Sequence, residues 1–286
     1  KSAPNNTLTY KVLSGNDAGM FELSAAGKLS VAKNTLDFEK VASYTLTVQV
    51  SDAGTPSQKD TAIVKISVLD VNEKPEIADA SYSVEENTAA GLVLGTLVAT
   101  DPDKSAPNNT LTYKVLSGND AGMFELSTAG KLTLVSDSLD YEKVASYTLT
   151  VQVSDAGTPS LKDTAIVKIS VLDVNEKPEI ADASYSVEEN NKASITLGTL
   201  SATDPDKSSP NNSLTYKILS GNRGSFFEVS ATGKLSVVKA GFDYETKSSY
   251  TLTVQVSDAG TPSLKDTAVV KVSILNVNEK PVIADA

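Results

Sequence analysis

The chain has 286 residues, contains neither cysteine nor histidine, and carries a formal net charge of −11 at pH 7. This composition excludes disulfide bonds, thiolate metal sites and histidine-based catalytic dyads, and it argues against nucleic acid as a partner. Hydrolysis by carboxylates alone is the chemistry left open, but tryptophan is also absent and the acidic clusters fall between repeated segments, so we expect no enzyme.

Short strands separated by turns are predicted along the chain, and no segment shows the 3.6-residue apolar period of a helix over three turns. Residues 44–50 and 61–70 alternate apolar and polar side chains with a period of two, which is typical of half-buried strands. Ala25-Ala26-Gly27 predicts a tight hairpin turn. The predicted strands span residues 8–13, 21–24, 28–31, 44–50, 61–70, 80–85 and 92–100.

The chain repeats itself at a fixed spacing. The segment KSAPNNTLTY begins at Lys1 and Lys104, and KSSPNNSLTY begins at Lys207, which gives a period of 103 residues. A period of this length corresponds to a whole small domain rather than to a solenoid unit. The predicted boundaries are an incomplete first module over residues 1–75, a second module over 76–178, a third module over 179–281, and the stub of a further module over 282–286.

Seven short strands in each full module predict an all-β fold, with Ig-like Greek-key β-sandwiches arranged end to end. Residues 1–75 contain the last five of these strands but not the first two. The connection between modules is only a few residues long and ends in proline, which is too short for a flexible tether. No apolar run approaches the roughly 20 residues that span a bilayer, so we expect no direct membrane insertion.

Five acidic motifs recur at the module ends: Val-Glu-Glu-Asn, Asp-Pro-Asp, Leu-Asp-Phe/Tyr-Glu, Val-Ser-Asp and Asp-Val-Asn-Glu-Lys-Pro. Because one strand length separates the two ends of a sandwich, acids at the exit of one module should meet those at the start of the next. Carboxylates gathered in this way repel each other unless cations hold them together. Ligands limited to oxygen favour Ca²⁺ over zinc, copper or iron.

These motifs, in this order, resemble the cadherin repeat, whose patterns are PEN, DxD, LDRE, AxD and DxNDN. The resemblance covers the whole chain, and the near-identical tandem copies are most similar to cadherin-like extender modules of large bacterial surface adhesins. It implies Ca²⁺ as the cofactor, neighbouring modules of the same chain as partners, and an extracellular location at a bacterial cell surface.

The resemblance also implies the ligands of up to three Ca²⁺ ions at each junction, and Lys177 would offer only its carbonyl. At the second junction the implied ligands are Glu86, Asp140, Glu142, Asp173, Asn175, Glu176, Lys177, Asp204, Asp206, Asn211 and Asp258. At the first junction they are Asp37, Glu39, Asp70, Asn72, Glu73, Asp101, Asp103, Asn108 and Asp155. The PEN glutamate of the first junction would lie upstream of Lys1.

Three positions depart from the family pattern. Glu176 stands where the family has aspartate, Glu85 has no counterpart in PEN, and Asn276 replaces the first linker aspartate at the third exit. We therefore expect any site at the third exit to be weaker. Asn108 and Asn211 also begin N-glycosylation sequons, and we favour metal binding because both asparagines fit a ligand position.

The function predicted from these patterns is a structural one, in which Ca²⁺ at the junctions stiffens a row of extender modules that project a terminal adhesive domain. The alternative is an adhesive binding module that recognises carbohydrate or another copy of itself. The scarcity of aromatic residues, which make up 6% of the sequence, gives the alternative little support.

Overall fold

The computed structural model describes residues 6–281, and every regular element within them is a β-strand. Over that range no helix is long and apolar enough to cross a membrane. The predicted stub at 282–286 lies outside the described residues. The chain forms two compact units: one comprises the residues up to Tyr82, Ala89–Ser136 and Tyr147–Ile169, and the other comprises Ser83–Thr88, Asp137–Ser146 and the residues from Ser170 onward.

The first module contains five strands, which match the five predicted for it. The strands are β1 Leu8–Ser14, β2 Phe21–Leu23, β3 Leu29–Val31, β4 Ser43–Asp52 and β5 Lys59–Ser67. A three-stranded sheet has the order β1-β4-β5, and β2 pairs with β3 through the predicted hairpin turn. Gly27 has a φ of 84° in this turn, and its amide donates to the carbonyl of Ser24 at 2.9 Å.

The second and third modules repeat one strand pattern. In the second module the strands are β6 Glu76–Ile77, β7 Ala80–Glu85, β8 Val93–Thr96, β9 Ala99–Thr100, β10 Thr112–Ser117, β11 Phe124–Leu126, β12 Lys131–Leu134, β13 Ser146–Ser154 and β14 Lys162–Leu172. In the third they are β15 Glu179–Ile180, β16 Ala183–Glu188, β17 Ile195–Thr199, β18 Ala202–Thr203, β19 Thr215–Ser220, β20 Phe227–Val229, β21 Lys234–Val237, β22 Ser249–Ser257 and β23 Lys265–Leu275.

Two sheets form the sandwich of the third module. One has the order β16-β23-β22-β19 and the other the order β17-β21-β20. β16 runs parallel to β23, whereas the remaining pairs in these sheets are antiparallel. These seven strands confirm the predicted fold class, and a short extra pair, β15-β18, lies beside them.

The strand predicted over residues 92–100 is interrupted in the structure. β8 pairs with β12, whereas β9 pairs with β6, so the two halves belong to different sheets. Leu97 lies between the halves and is buried, and its amide donates to the carbonyl of Gly130 at 2.8 Å. Burial of Leu97 therefore marks the place where the chain crosses from one sheet to the other.

Alternating burial along the long strands builds the core of each sandwich. In β22, Tyr250, Leu252, Val254 and Val256 are buried, and the intervening residues are half-buried or exposed. Phe227 and Phe242 pack into the same core of the third module. The first module has a smaller buried cluster, consisting of Met20, Phe21 and Leu46.

Candidate metal sites

The predicted ligands of each junction lie within a single compact unit. Those of the first junction belong to the unit that contains the first module, and those of the second belong to the unit that contains the third. We call the two sets, as predicted above, the first and second junction clusters. Each cluster can therefore be described by its own internal geometry.

Carboxylates of the second junction cluster come together in two groups that share Glu142. Glu86, Asp140 and Glu142 form one group, and Glu142 forms the other with Asp173 and Asp206. Within each group, one carboxylate oxygen from every residue lies within 4.8 Å of the others. Three acids at this separation are positioned to share a cation.

Glu86 is held in place by backbone amides. Its side chain is only 3% exposed, one oxygen accepts from the amide of Val174 at 2.8 Å, and the other accepts from the amide of Tyr141 at 2.6 Å. Glu86 thus joins the linker that follows β14 to the Leu-Asp-Tyr-Glu loop. This contact orients two other acidic motifs around one carboxylate.

The Asp-Pro-Asp turn reaches the linker through Asp206. The Asp206 amide donates to Asp204 at 3.0 Å, which closes the turn, and the Asp206 carboxylate accepts from the amide of Glu176 at 2.9 Å. The Asn211 amide group lies 3.3 Å from Asp206 and 3.5 Å from Asp173. These contacts bring acids from both sides of the linker to the same place.

Asn175 lies between the linker and the Val-Ser-Asp loop. Its side-chain nitrogen donates to Asp258 at 3.3 Å and to the carbonyl of Pro262 at 3.0 Å. A Cβ on Gly260 would lie 2.0 Å from the Asn175 Oδ1, so only glycine leaves room for this side chain. The Asn175 amide oxygen thus lies against Gly260, buried and without a hydrogen-bond donor.

Several buried oxygens in the two clusters have no hydrogen-bond donor. Within residues 6–281 the structure gives six buried polar side-chain atoms without a partner, and five belong to the clusters. They are Asn72 Oδ1, Asp101 Oδ2, Glu142 Oε2, Asn175 Oδ1 and Asp204 Oδ2. Unpartnered buried oxygens are costly, and a bound cation would satisfy them, so this donor set fits Ca²⁺.

The electrostatics of the second junction cluster disfavour ionised carboxylates when no metal is bound. Burial, together with the charges of Asp206 and Asp258, raises the pKa of Asp204 to about 6. Burial and the charge of Glu86 raise the pKa of Glu142 above its usual value, and burial and the charge of Asp206 do the same for Asp173. A cation would reverse these shifts because it favours the ionised form.

The first junction cluster repeats much of this geometry. Glu39, Asp70 and Asp103 form an acidic group, and Asn72 donates to Asp155 at 3.2 Å. The amide of Glu73 donates to Asp103 at 2.9 Å. Burial raises the pKa of Asp101, and burial and the charge of Glu39 raise that of Glu73.

Some predicted ligands have other side-chain partners. Asp37 pairs with Lys40 at 2.8 Å and Asp140 with Lys143 at 2.7 Å, and each ion pair lowers the pKa of its aspartate. The Lys177 ammonium pairs with Asp266 at 2.7 Å, so the side chain is engaged and its carbonyl is the group that remains available.

The two linker glutamates and Asn108 lie at the margin of the clusters. The Glu176 carboxylate accepts from Asn87 at 2.9 Å, and neither it nor Glu73 enters an acidic group of the described residues. Their backbone amides approach the Asp-Pro-Asp carboxylates, as described above. Asn108 donates to Asp103 at 3.4 Å.

Sequence reasoning missed two residue types that shape the clusters. The ammonium groups of Lys104 and Lys207 donate to the carbonyls of Glu39 and Glu142, respectively. Gly157 and Gly260 accommodate Asn72 and Asn175 at very close approach. The signal was present, because both residue types recur at the same place in every copy, but no role was assigned to them from the sequence.

The third module carries one further acidic group at its exit. Glu189, Asp243 and Glu245 lie together, and Glu189 is 3% exposed. Both Glu189 oxygens accept from backbone amides at 2.7 Å, those of Tyr244 and Val277, as Glu86 does in the second module. Asn276 donates to Glu245 at 3.1 Å, in the place where the second junction has Asp173.

Comparison with known proteins identifies the family of this repeated fold. The profile of the cadherin domain matches residues 1–69, 80–172 and 183–275. The chain belongs to the cadherin family. Human protocadherin Fat 1 is 33% identical over 282 residues, which cover 96% of this chain and 6% of that protein, and mouse cadherin-23 is 34% identical over 289 residues, which cover 96% and 8%.

Solved cadherin structures agree with the sandwich fold. Mouse cadherin-23 EC22-24 is 30% identical with a TM-score of 0.73, over 97% of this chain and 89% of that chain. The extracellular cadherin domains 1-5 of protocadherin gamma B2 are 27% identical with a TM-score of 0.77, over 96% and 54%.

These comparisons support the cadherin part of the predicted resemblance and not its bacterial part. The relatives named above are animal proteins, and this chain spans only 6–8% of their length. None of them carries the name of an enzyme. The chain is thus a row of tandem cadherin repeats.

Proposed function

We propose that these repeats are structural extender modules that bind Ca²⁺ at their junctions and are stiffened by it. The observation that carries the proposal is the set of five buried, unpartnered oxygens in the two junction clusters. Without a cation, each such oxygen loses the water it would bind in an unfolded chain and gains nothing in return. With Ca²⁺, the same oxygens become ligands that connect the linker to the loops on either side.

The second junction cluster would hold the ions through residues from four loops and the linker. Glu86, Asp140 and Glu142 would supply one side, and Asp204, Asp206 and Asp258 the other. Asp173 and Asn175 would supply the linker oxygens, and Glu176, the Lys177 carbonyl and Asn211 would complete the set. The first cluster would use Asp37, Glu39, Asp70, Asn72, Glu73, Asp101, Asp103, Asn108 and Asp155. Bound Ca²⁺ supplies positive charge that offsets the mutual repulsion of these acids.

In this proposal, bound Ca²⁺ stiffens the chain at the predicted module boundaries, at residues 75, 178 and 281. Tandem copies with nearly the same sequence add length, as an extender requires. Cadherin relatives are solved as extracellular domains, so we place these repeats outside the cell, at its surface. A terminal adhesive domain, and a bacterial host, rest on the near-identity of the copies alone.

Contact with a second copy of the chain is the alternative function with a specific observation behind it. A solved relative, 29% identical with a TM-score of 0.72 over 96% of this chain and 66% of its own, is described as a protocadherin gammaB7 EC3-6 cis-dimer. Sedimentation of the chain in Ca²⁺ tests this alternative. A monomer at all concentrations would remove it. No observation of this kind supports carbohydrate binding by the features that all the repeats share.

The deciding experiment is small-angle X-ray scattering of the 286-residue chain in millimolar Ca²⁺ and in chelator. We expect a stiff rod in Ca²⁺ that becomes a flexible string on chelation. D204A and E142Q should loosen the second junction in Ca²⁺ and lower the Ca²⁺ stoichiometry while each sandwich stays folded. D120N, in an exposed turn outside the clusters, is the control. Full Ca²⁺ stoichiometry in D204A and E142Q would overturn the ligand assignment.

A further inference from the structure

Many of the differences between the third module and the other two are concentrated in one region of its surface. The differences lie in three short segments: residues 223–226, 240–242 and 246–248. At eight of these ten positions the first two modules agree with each other and the third differs from both, and at positions 240 and 241 all three modules differ. An open pocket of about 340 Å³ lies where these segments meet. Five of its seven lining residues are specific to the third module: Arg223, Phe226, Gly241, Thr246 and Lys247.

The replacements add positive charge to this region. At the positions of Arg223, Thr246 and Lys247 the first module has Asp17, Lys40 and Val41, which sum to zero, and the second has the same residue types. The third module has +1, 0 and +1 there, a net charge of +2 on a chain whose total is −11. Arg223 is also the sole arginine of the sequence. Two cations beside one pocket favour an anionic ligand.

An aromatic wall accompanies the cations. Phe226 replaces a methionine and Phe242 a leucine, and their rings stack with centroids 4.8 Å apart. Tyr250 completes the wall, and the Lys247 ammonium lies 4.0 Å from the centroid of its ring. Phe226 is half-buried, which leaves part of its surface open to the pocket. An apolar ring face could pack there.

Two polar residues of the same pocket lining, Asp243 and Thr246, are suited to bind ligand hydroxyls. Asp243 lines the pocket and accepts from the amide and hydroxyl of Thr246 at 2.9 and 2.8 Å. In the second module the equivalent aspartate, Asp140, is paired with Lys143 instead. Because Thr246 stands where the second module has Lys143, the Asp243 carboxylate has no ion pair equivalent to that of Asp140 with Lys143. It can therefore accept a hydrogen bond from a ligand hydroxyl.

We propose that this pocket binds an acidic sugar residue, such as a uronic acid, by its carboxylate, hydroxyls and ring face together. Arg223 and Lys247 would bind the carboxylate, Asp243 and Thr246 the hydroxyls, and Phe226 the apolar face of the ring. The volume lies within the roughly 300–1,000 Å³ of small-ligand sites. A simple inorganic anion has no apolar surface to pack against Phe226. An aromatic acid has no hydroxyl to donate to the Asp243 carboxylate.

The test is calorimetric titration of the full chain with trigalacturonic acid. The titration is made in millimolar Ca²⁺ and again in chelator, because Asp243 also belongs to the acidic group at the third exit and Ca²⁺ could compete for it. R223D/K247V restores the residues of the other modules, so the variant should fold, and we expect its affinity to fall about tenfold or more. F226M should lose about threefold. K11D/K114V, which changes the charge of exposed strand residues by the same amount, should bind as the wild type does.

Four outcomes would overturn the proposal. The first is no binding of trigalacturonic acid by the wild-type chain in either condition. The second is equal binding by R223D/K247V, and the third is equal binding of the trigalacturonate methyl ester, which lacks the charge. The fourth is displacement of the sugar by an equal concentration of inorganic sulfate, which would show that the pocket binds simple anions. None of these results depends on whether the two junctions bind Ca²⁺.

Discussion

The two junction clusters share their linker sequence and differ in one buried residue. At the second junction Glu86 accepts from Val174 and Tyr141, whereas the position that corresponds to Glu86 at the first junction lies ahead of Lys1. The linker valine there, Val71, is 72% exposed, and Leu69 is 81% exposed where the equivalent Leu172 is 45% exposed. At the second junction the linker is thus held by Glu86, whose carboxylate accepts from the amide of Val174.

Removal of Glu86 should make the second junction resemble the first, and we expect the largest effect from this change. E86A would leave the amides of Val174 and Tyr141 without their partner, at a cost of about 1–3 kcal/mol in the free energy of unfolding. Ca²⁺ affinity should fall at least tenfold, as is typical when a ligand's anchoring is lost. Thermal unfolding and calorimetric Ca²⁺ titration measure both quantities.

The exposed neighbour Glu85 supplies the control, since E85A removes the same charge from a side chain that faces solvent. If E86A and E85A unfold at one temperature and bind Ca²⁺ alike, then the contrast between the junctions does not depend on Glu86.

Crowding of the linker asparagine should act on each junction separately. In G260A the new Cβ would meet Asn175 Oδ1, and in G157A it would meet Asn72 Oδ1, each at 2.0 Å before any movement. We expect each variant to displace its asparagine, at a cost of about 1–3 kcal/mol, and to reduce the number of Ca²⁺ bound by the chain. Equilibrium dialysis with radioactive Ca²⁺ counts the ions. An undiminished count in both variants would show that these asparagines are not ligands.

The pH dependence of Ca²⁺ binding should sharpen the comparison further. Asp204 has a folded pKa of about 6, above the roughly 3.9 of an unfolded aspartate, so its ionisation opposes folding of the metal-free chain. That contribution to stability is therefore present below about pH 4 and is lost as the pH rises through 6. Ca²⁺ requires the ionised form, so affinity at the second junction should fall about tenfold between pH 7 and pH 5.

Calorimetry in buffers of different ionisation enthalpy would detect the protons released when Ca²⁺ binds near pH 6. D204N should remove that release, and D101N supplies the matched change at the first junction. Proton release that is unaltered in D204N would assign the titration to another group.

The smallest effect is expected from the exposed ion pair beside the Leu-Asp-Tyr-Glu loop. K143T copies the third module, in which Thr246 occupies this position, and removes the partner of Asp140. Because exposed ion pairs contribute little, we expect no measurable change in melting temperature and an increase in Ca²⁺ affinity of about twofold or less. A large loss of affinity would mean that Lys143 positions Asp140 for the metal.

Much of the fold could be predicted because local pattern determines a β-sandwich strand by strand. The period-2 alternation at 44–50 and the turn at Gly27 both reappear in the structure. The division of residues 92–100 between two sheets could not be predicted, because the choice depends on which strand lies opposite. β8 meets β12 and β9 meets β6, and both are remote in sequence.

The candidate sites show the same limit. Recurrence of the acidic motifs predicted which residues would cluster, and acidic groups form around Glu39 at the first junction and around Glu142 at the second. The sequence did not show that Asp140 and Asp37 are paired with lysines, or that the Glu176 side chain points to Asn87. It also did not show that the differences of the third module converge on one pocket, because Arg223 and Lys247 are separated by more than twenty residues of chain.

A comparison of two segments with identical sequence distinguishes what the sequence determined from what the tertiary structure decided. Residues 59–69 and 162–172 have the same sequence, and both form a strand whose apolar side chains alternate. In β14 the inward side of Ala165, Val167 and Ile169 is fully buried, whereas in β5 Ala62 is exposed and Val64 is half-buried. β14 lies between β13 and β7 in a four-stranded sheet, but β5 is the edge of a three-stranded one. Sequence alone determined the strand and its apolar side; the neighbouring strands decided whether that side left water.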